Sequence, residues 1–384
     1  MSMLSALSGL KILDLSMNLP GPYMTWLIAT LGADVVKVEN PASGDYARVL
    51  GTPGNSPLFD AVNRNKRSIA LNLKHPEGKR IFLDLLDLYD IVVEGFRPGT
   101  MERLGLGFET TSARNFRLIH VSITGYGHDG PYRLRAGHDV NYLSLAGVID
   151  MTGTGEGQSV IPGVQVADLA GGSLLSLAGL LAAVIQREKT GKGQFVDASM
   201  FDGALSLTTM IFGGVEAGLE QSRPGRMLFN GRFPCYGVYA TKDGKFMSLG
   251  AMEAKFWQNF CVAVNREDLM NEQFGGEEAK TEVERIFAAK TREEWVDFMK
   301  NADACCEPVL SLTEAVESPL AESRKMLSRF PDGKRFLASP IKLSGSQFPA
   351  ERPAPMLGQH THEILAQLGL SADDLASLAQ QGVI

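Results

Sequence analysis

The chain has 384 residues, of which 44% are hydrophobic and 21% charged, and a formal net charge of −7. These values predict a soluble globular protein of two domains and argue against a general nucleic-acid binder, although a local basic patch could still hold a phosphorylated ligand. The four cysteines show no CxxC spacing, so they indicate neither a zinc site nor a disulfide framework and fit the reducing cytoplasm.

The first third of the chain alternates strand and helix patterns. No basic segment precedes the short apolar stretch at the N-terminus, so we expect no signal peptide. The predicted helices, from their 3.6-residue apolar period, are 20–32 and 76–90. The predicted strands are 11–16, 33–39, 67–73, 90–95 and 117–124. This order predicts a Rossmann-like α/β fold, with a parallel sheet covered on both faces and ligands at the carboxyl ends of the strands.

The longest nearly apolar run, Leu169–Ile185, has 17 residues. That length is at the short limit for a membrane span. The run continues directly into charged residues up to 189, as a soluble helix would. We therefore predict a buried core helix and no membrane partner, followed by a short strand in TGKGQFVD and a helix near 199–217.

The sequence changes character at the Gly-, Arg- and Pro-rich loop 222–234. Residues 236–250 then predict a hairpin, and the tail after Pro355 returns to helix. The helical patterns between them are 253–264, 281–289 and 292–301. We predict a large α/β domain at 1–224, completed by 331–384, and a smaller α+β domain at 225–330.

Two motifs are weak signals of a cofactor or a metal. GYGHDG at 125–130 matches G-x-G-x-x-G, but Pro131 follows and no helical stripe begins there, so we interpret it as a turn. His360 and His362 are two residues apart and would not share a helix face. The chain has no G-x-S-x-G, Walker A or HExxH motif.

Basic residues recur beside the predicted strand ends. Each alone reads as a solvated surface charge, but their recurrence favours a local phosphate site. Arg97 is the best candidate because it directly follows the strand at 90–94. The full set is Lys37, Arg64, Lys66, Arg67, Lys74 and Arg97.

Three candidate acid/base groups begin predicted helices. His138, in GHDVNY beside Asp139 and Tyr142, is either a satisfied core histidine or a proton carrier. Asp168 is either a helix N-cap or a base or nucleophile. Glu253 opens a helix after a strand, a position where Glu usually serves the helix dipole.

Eight ordered segments between residues 8 and 203 carry a resemblance to one family. They are SGLKILDLS, GPYMTWLIATLGADVVKVE, NRNKRSIALNLKHPEGK, VEGFRPGTMERLGLG, ITGYGHDGP, AGHDVNY, VADLAGGS and TGKGQFVDASMFD. These segments resemble family III CoA transferases (the CaiB/BaiF superfamily) and their relatives, the α-methylacyl-CoA racemases. The resemblance implies an α/β protein that acts on acyl-CoA thioesters.

The racemase branch matches at more points, because GHDVNY resembles its GHDxNY motif and GAMEAKFW its Glu-bearing segment. This resemblance implies that His138 and Asp168 exchange the α-proton of a 2-methylacyl-CoA and that Glu253 pairs with His138. Asp139 and Tyr142 would orient the imidazole or donate hydrogen bonds. The transferase branch implies instead that Asp168 is the nucleophile. A non-catalytic CoA-ester binding protein is the third alternative.

The resemblance further implies an interlocked homodimer in the cytoplasm. It implies no metal or redox cofactor, because CoA arrives as part of the substrate. The residues expected to contact CoA are Asn18, Lys37, Leu71, Asn72, Leu73, Lys74, Gly95, Arg97, Arg103 and Gly137.

Overall fold

A computed structural model describes residues 4–51, 56–153 and 158–384 of the chain. Its strands are β1 (Lys11–Asp14), β2 (Asp34–Glu39), β3 (Arg67–Ala70), β4 (Ile91–Glu94), β5 (Ile119–Thr124), β6 (Phe195–Ser199), β7 (Tyr236–Ala240), β8 (Phe246–Gly250), β9 (Cys306–Pro308), β10 (Leu327–Arg329) and β11 (Arg335–Leu337).

The α-helices are α1 (Pro20–Thr30), α2 (Pro57–Asn63), α3 (Pro76–Leu85), α4 (Thr100–Arg103), α5 (Phe108–Arg114), α6 (Asp139–Leu145), α7 (Val148–Met151), α8 (Leu175–Thr190), α9 (Met200–Ser206), α10 (Thr209–Glu216), α11 (Ala254–Ala263), α12 (Glu277–Ala288), α13 (Arg292–Met299), α14 (Leu312–Val316), α15 (Pro319–Ser323), α16 (Thr361–Ala366) and α17 (Ala372–Gln380). A π-helical segment, Ala167–Leu174, runs directly into α8. Short 3-10 helices occupy Tyr46–Val49 and Glu267–Glu272.

Contacts within the chain define two compact units. The first comprises Met1–Ala146, Gly163–Leu207 and Met326–Ile384, and the second Gly147–Pro162 and Thr208–Lys325. These units differ from the predicted domains, because Gly147–Pro162 and residues 208–224, predicted in the large domain, belong to the second unit.

The first unit is built on a six-stranded sheet in the order β3-β2-β1-β4-β5-β6. Every neighbouring pair is parallel, which confirms the predicted Rossmann-like α/β class. Parallel strands place their carboxyl ends at one edge. At that edge, β4 and β5 lead into the segments 95–99 and 125–137, which form the candidate site described below.

One face of this sheet shares its hydrophobic core with the C-terminal tail. Ile364, Leu375 and Leu378 of α16 and α17 are buried against the strands and α3. His360 belongs to the same attachment, because its Nδ1 accepts a hydrogen bond from the backbone N–H of Ser68 at 3.2 Å. Its imidazole therefore has a structural partner.

The second unit contains the three-stranded antiparallel sheet β7-β8-β9. The helices α11, α12 and α13 contribute four aromatic residues to its core. Tyr239 of β7 stacks on one of them, Phe287, at 5.0 Å between ring centroids. The four are Trp257, Phe260, Phe287 and Trp295.

The long apolar run forms one continuous helix from the π-helical segment through α8. Among the described residues, this helix, Ala167–Thr190, is the one with the length and composition to cross a membrane. Leu177 and Leu180 are buried, while Leu174 and Ile185 are 46% and 59% exposed. The predicted core helix is therefore buried along one face only. The helix predicted near 199–217 is two helices, α9 and α10.

Candidate active site

A cavity of about 310 Å³ lies at the carboxyl ends of β4 and β5. Its walls come from the segment after β4, the end of β5 with the turn that follows, and the residues leading into α6. We call it the His138 cavity. Its lining includes Gly95, Phe96, Arg97, Thr124, Gly125, Tyr126, Arg133, Arg135, Gly137, His138 and Tyr142.

His138 stands immediately before α6, at its N-cap position. Its backbone N–H donates to Oδ1 of Asn141 at 3.0 Å, which completes one half of a capping box at the first turn. The imidazole is exposed at the cavity wall. The core-histidine interpretation is therefore wrong, because the ring lies where a ligand could reach it.

Asp139 is 7% exposed and serves the backbone of the second candidate acid/base residue. Its Oδ1 accepts a hydrogen bond from the N–H of Asp168 at 2.9 Å. Since Asp139 is the first residue of α6 and directly follows His138, this bond joins the Asp168 backbone to the start of α6. The structure thus assigns Asp139 a partner that the sequence reasoning did not foresee.

Asp168 lies inside the π-helical segment, with Val166 at the N-cap position, so the N-cap interpretation of Asp168 is wrong. Backbone packing of two glycines holds this segment against α9. A Cβ on Gly171 would stand 2.8 Å from the nitrogen of Ala204, and one on Gly203 would stand 2.3 Å from the Gly171 oxygen. Such π-helical turns occur frequently at functional sites.

The environment of Asp168 favours its neutral form. Burial raises the pKa of this carboxyl to about 7, and the negative charge of Asp139 adds to the effect. A carboxyl with a pKa near 7 can both accept and return a proton at neutral pH. Asp168 is not among the residues that line the His138 cavity.

Tyr142 is buried and its hydroxyl is already used. The hydroxyl donates to the Gly137 carbonyl at 2.6 Å, and burial followed by the charge of Asp168 raises its pKa. A Cβ on Gly125 or Gly137 would come within 2.6 or 2.7 Å of the Tyr142 ring, so both positions need glycine. The GYGHDG segment thus supplies close backbone contact to Tyr142.

Three arginines line the His138 cavity: Arg97, Arg133 and Arg135. We call them the arginine wall. In the described ranges no carboxylate residue lines this cavity, and none of the three arginines forms an ion pair with another described residue. The guanidinium of Arg135 lies over the Tyr132 ring at 3.7 Å from its centroid. The wall is therefore positively charged and suited to an anion.

Arg133 and Arg135 were missed by the sequence reasoning, which stopped at Arg97. The signal that could have found them is the RLR triplet, which is separated from GHDVNY by one residue, Ala136. Their position close before the candidate acid/base residue places them at the same strand edge.

A second cavity of about 260 Å³ shares Phe96 with the first. We call it the Lys37 cavity. Most of its walls are apolar. Lys37, Leu71, Leu73 and Lys74, all predicted CoA contacts, are among its lining residues.

The remaining predicted contacts lie around these two cavities. Asn18 is exposed, and its backbone N–H donates to Asp45 Oδ1 at 3.0 Å. Asn72 is tied to the tail through the Val383 carbonyl at 2.8 Å. Arg103 donates to the Thr100 hydroxyl of its own helix at 2.8 Å. Gly95 and Gly137 both line the His138 cavity.

Lys37 is fully buried and its charge is compensated within the protein. Its Nζ is 2.7 Å from Asp45 Oδ2 and donates to the Ser16 carbonyl at 2.7 Å. Burial opposes its charged form, but Asp14 and Asp45 outweigh that effect and raise its pKa. A direct phosphate contact from Lys37 stays a prediction.

Glu253 belongs to the second unit. It occupies the N-cap position of α11 without a side-chain capping bond, and it is exposed. Glu253 therefore lies one position before the first turn of α11, where the sequence had placed it.

The family of the chain follows from comparison with known proteins. The model of "CoA-transferase family III" matches residues 7–361, so the chain belongs to this family. It is 33% identical over 384 residues to the human alpha-methylacyl-CoA racemase, covering 99% of this chain and 97% of that protein. It is also 32% identical over 378 residues to the mouse succinyl-CoA:glutarate CoA-transferase, covering 94% and 86%.

The solved structures agree with this assignment. A CAIB/BAIF family protein from Brucella suis superposes with a TM-score of 0.82 at 28% identity, covering 95% of this chain and 100% of that one. The members of the family are enzymes, and its relatives include both racemases and CoA transferases.

Proposed function

We propose that the protein is a racemase that interconverts (R)- and (S)-2-methylacyl-CoA thioesters. The observation that carries the proposal is a carboxyl, that of Asp168, whose pKa is about 7 and whose backbone N–H is bound by Asp139, the residue that follows the exposed His138. A carboxyl with this pKa can accept and return a proton at neutral pH. A two-base inversion requires a second acid/base group, and imidazole is the side chain that most often has this role.

In the proposed mechanism one group removes the α-proton from one face of the thioester. The electrons of the C–H bond move onto the carbonyl oxygen to form an enolate. The other group, protonated beforehand, returns a proton to the opposite face. His138 and Asp168 exchange roles for the two enantiomers. Asp139 acts as a positioning residue that holds Asp168 and keeps its pKa high.

A CoA transferase is the second candidate, and the arginine wall favours it. A carboxylic acid acceptor is an anion, and three guanidinium groups beside His138 would attract it. In that reaction Asp168 attacks the thioester carbonyl and CoA leaves as its thiolate. A non-catalytic CoA-ester binding protein is the third candidate.

Three further features belong to the proposal. The protein acts as a homodimer in the cytoplasm. It needs no metal or redox cofactor, because the substrate brings CoA. The phosphates of CoA contact Arg97, and the nucleotide end lies toward the Lys37 cavity.

One experiment separates the three candidates. The protein is incubated in D₂O with enantiopure (S)-2-methylacyl-CoA, with and without a free carboxylic acid. A racemase loses optical purity and incorporates deuterium at Cα. Transfer of CoA to the acid without exchange would replace our proposal with the transferase, and binding without either reaction would leave a binding protein. Asp168→Asn is the control that should lose both racemisation and CoA transfer, whereas exchange of the α-proton of one enantiomer should survive in it.

A further inference from the structure

A buried carboxyl that the proposed mechanism does not use lies directly behind the His138 cavity. Glu94 ends β4 and is 2% exposed. Its Oε2 accepts a hydrogen bond from the backbone N–H of Phe96 at 2.7 Å. Because Phe96 lines both the His138 and the Lys37 cavity, this bond fixes the wall that the two cavities share.

Two further polar side chains continue from Glu94 into the turn after β5. Ser122 is the residue paired with Glu94 in the parallel register, it is fully buried, and its hydroxyl favours the ionised form of Glu94. The Ser122 Oγ lies 2.7 Å from Nε2 of His128. The backbone of His128 is held in turn by Asp197, whose Oδ2 accepts its N–H at 3.1 Å. The Glu94–Ser122–His128 chain therefore joins the two loops that form the His138 cavity.

In the Glu94–Ser122–His128 chain, the charge state of Glu94 decides which group donates and which accepts in each hydrogen bond. An ionised Glu94 can only accept hydrogen bonds, so the Ser122 hydroxyl donates a hydrogen bond to it. The Ser122 Oγ then acts as an acceptor toward His128, and Nε2 of His128 has to donate. A neutral donor at position 94 reverses both bonds, and Nε2 then accepts. Every polar group stays satisfied in either direction, as a buried network requires.

Burial, hydrogen bonds and nearby charges act together on the charge state of Glu94. Burial raises the pKa of Glu94 to about 7, the Ser122 hydroxyl and the Phe96 amide oppose this, and Glu102 and Asp197 add to it. The charged groups that act on it are therefore Glu102 from α4 and Asp197 from β6.

We propose that Glu94 is a positioning residue for acyl-CoA binding, which anchors the Gly95–Arg97 wall through Phe96 and sets the proton position on His128 through Ser122. The choice of acyl-CoA as ligand rests on the proposed function. The hydrogen-bond chain itself does not.

The Glu94–Ser122–His128 hydrogen-bond chain is tested by nitrogen-15 NMR of the His128 ring at pH 8. Glu94→Gln has a forced outcome. The Phe96 N–H still needs an acceptor, so the Gln oxygen faces Phe96 and its NH₂ donates to Ser122. The ring should change from protonation at Nε2 in the wild type to protonation at Nδ1. Glu102→Gln, which removes a neighbouring charge outside the chain, should leave the ring unchanged. An unchanged ring in folded Glu94→Gln overturns the proposal.

The anchor is tested by calorimetric titration with acetyl-CoA. Glu94→Leu leaves the Phe96 N–H without an acceptor and should weaken binding ~10-fold or more, while Glu94→Gln stays within about threefold of the wild type. In an activity assay, kcat of the Glu94→Leu variant should fall far less than its affinity for the acyl-CoA. Equal affinity of the folded Leu variant and the wild type overturns the anchor.

These outcomes remain separate from the failure of the proposed function. If the wild type binds no acetyl-CoA, the proposed ligand is wrong. The NMR result for His128 still decides whether Glu94 sets the proton position on that ring. Should Glu94→Gln fail to fold, the wild-type ring decides, and protonation at Nδ1 at pH 8 overturns the proposal.

Discussion

Two regions of the first unit use basic side chains in opposite ways. In the arginine wall, three guanidinium groups line one cavity and form no ion pair with a described residue. Elsewhere in the same unit, two lysines are buried and each pairs with a carboxylate. Lys37 pairs with Asp45 at 2.7 Å, and Lys66 with Asp14 at 3.1 Å. We call these four residues the buried ion-pair cluster.

The difference shows that a basic residue at a strand end does not by itself define a ligand site. In the cluster, burial raises the pKa of Asp14, but Lys66 and Lys37 outweigh it and lower the value to about 2. Burial lowers the pKa of Lys66 to about 8, even though Asp14 opposes the change. These charges stabilise one another and shape the backbone, whereas the arginine wall remains available to an anion.

The largest effect is expected at the acid/base pair beside the arginine wall. His138→Ala and Asp168→Asn should each slow racemisation by at least ~10²–10⁴-fold, because inversion needs both groups. Each variant should still exchange the α-proton of one enantiomer with D₂O, and the two variants should prefer opposite enantiomers. Proton NMR of each enantiomer measures this. Two folded variants equally inert toward both enantiomers would contradict the two-base assignment.

Breaking the buried ion-pair cluster should mainly cost stability. Lys66→Met leaves Asp14 buried without its partner and is expected to lower the free energy of unfolding by ~3–5 kcal/mol. Lys334→Met is the matched control, because the Lys334–Asp60 pair is 46% and 31% exposed and should contribute about 0–1 kcal/mol. Urea titrations measure both. Similar small losses would mean that the cluster is not a tight buried pair.

Removing one arginine of the wall should mainly cost affinity. Arg97→Gln removes a charged donor without touching a reacting group and should weaken acyl-CoA binding ~10-fold or more. The remaining affinity should depend less on salt, since one exposed charge is gone. Arg117→Gln, on a surface pair with Glu188, is the control. A collapsed kcat with unchanged affinity would place Arg97 at the chemistry.

The smallest effect concerns the pH dependence of stability at Asp168. Its pKa in the folded protein is about 7 against a usual value of 3.8. The stability it contributes is therefore complete below about pH 4 and is lost as the pH rises through 7. Asp168→Asn is neutral throughout, so at pH 8 it should be more stable than the wild type, and at pH 4 the two should agree. Melting curves at both pH values check this. A variant less stable at pH 8 would mean that Asp168 is ionised without cost.

Much of the architecture could be predicted, because it depends on local patterns. The strand and helix alternation before residue 124 predicts the parallel sheet, whereas the order of the strands was not predicted. The motif around His138 could be located to the residue. The split of the helix near 199–217 could not, because Leu207 and Thr208 continue a plausible helical pattern.

The sequence by itself determined the α/β class, the family and the strand edge at which the candidate site lies. Periodicity and motif order are properties of neighbouring residues, and they survive without coordinates. Only the tertiary structure decided which charges are free and which are paired. Lys66 meets a carboxylate 52 residues away, and Asp168 owes its raised pKa to burial and to Asp139. Burial and Coulomb interactions depend on distances that packing alone sets.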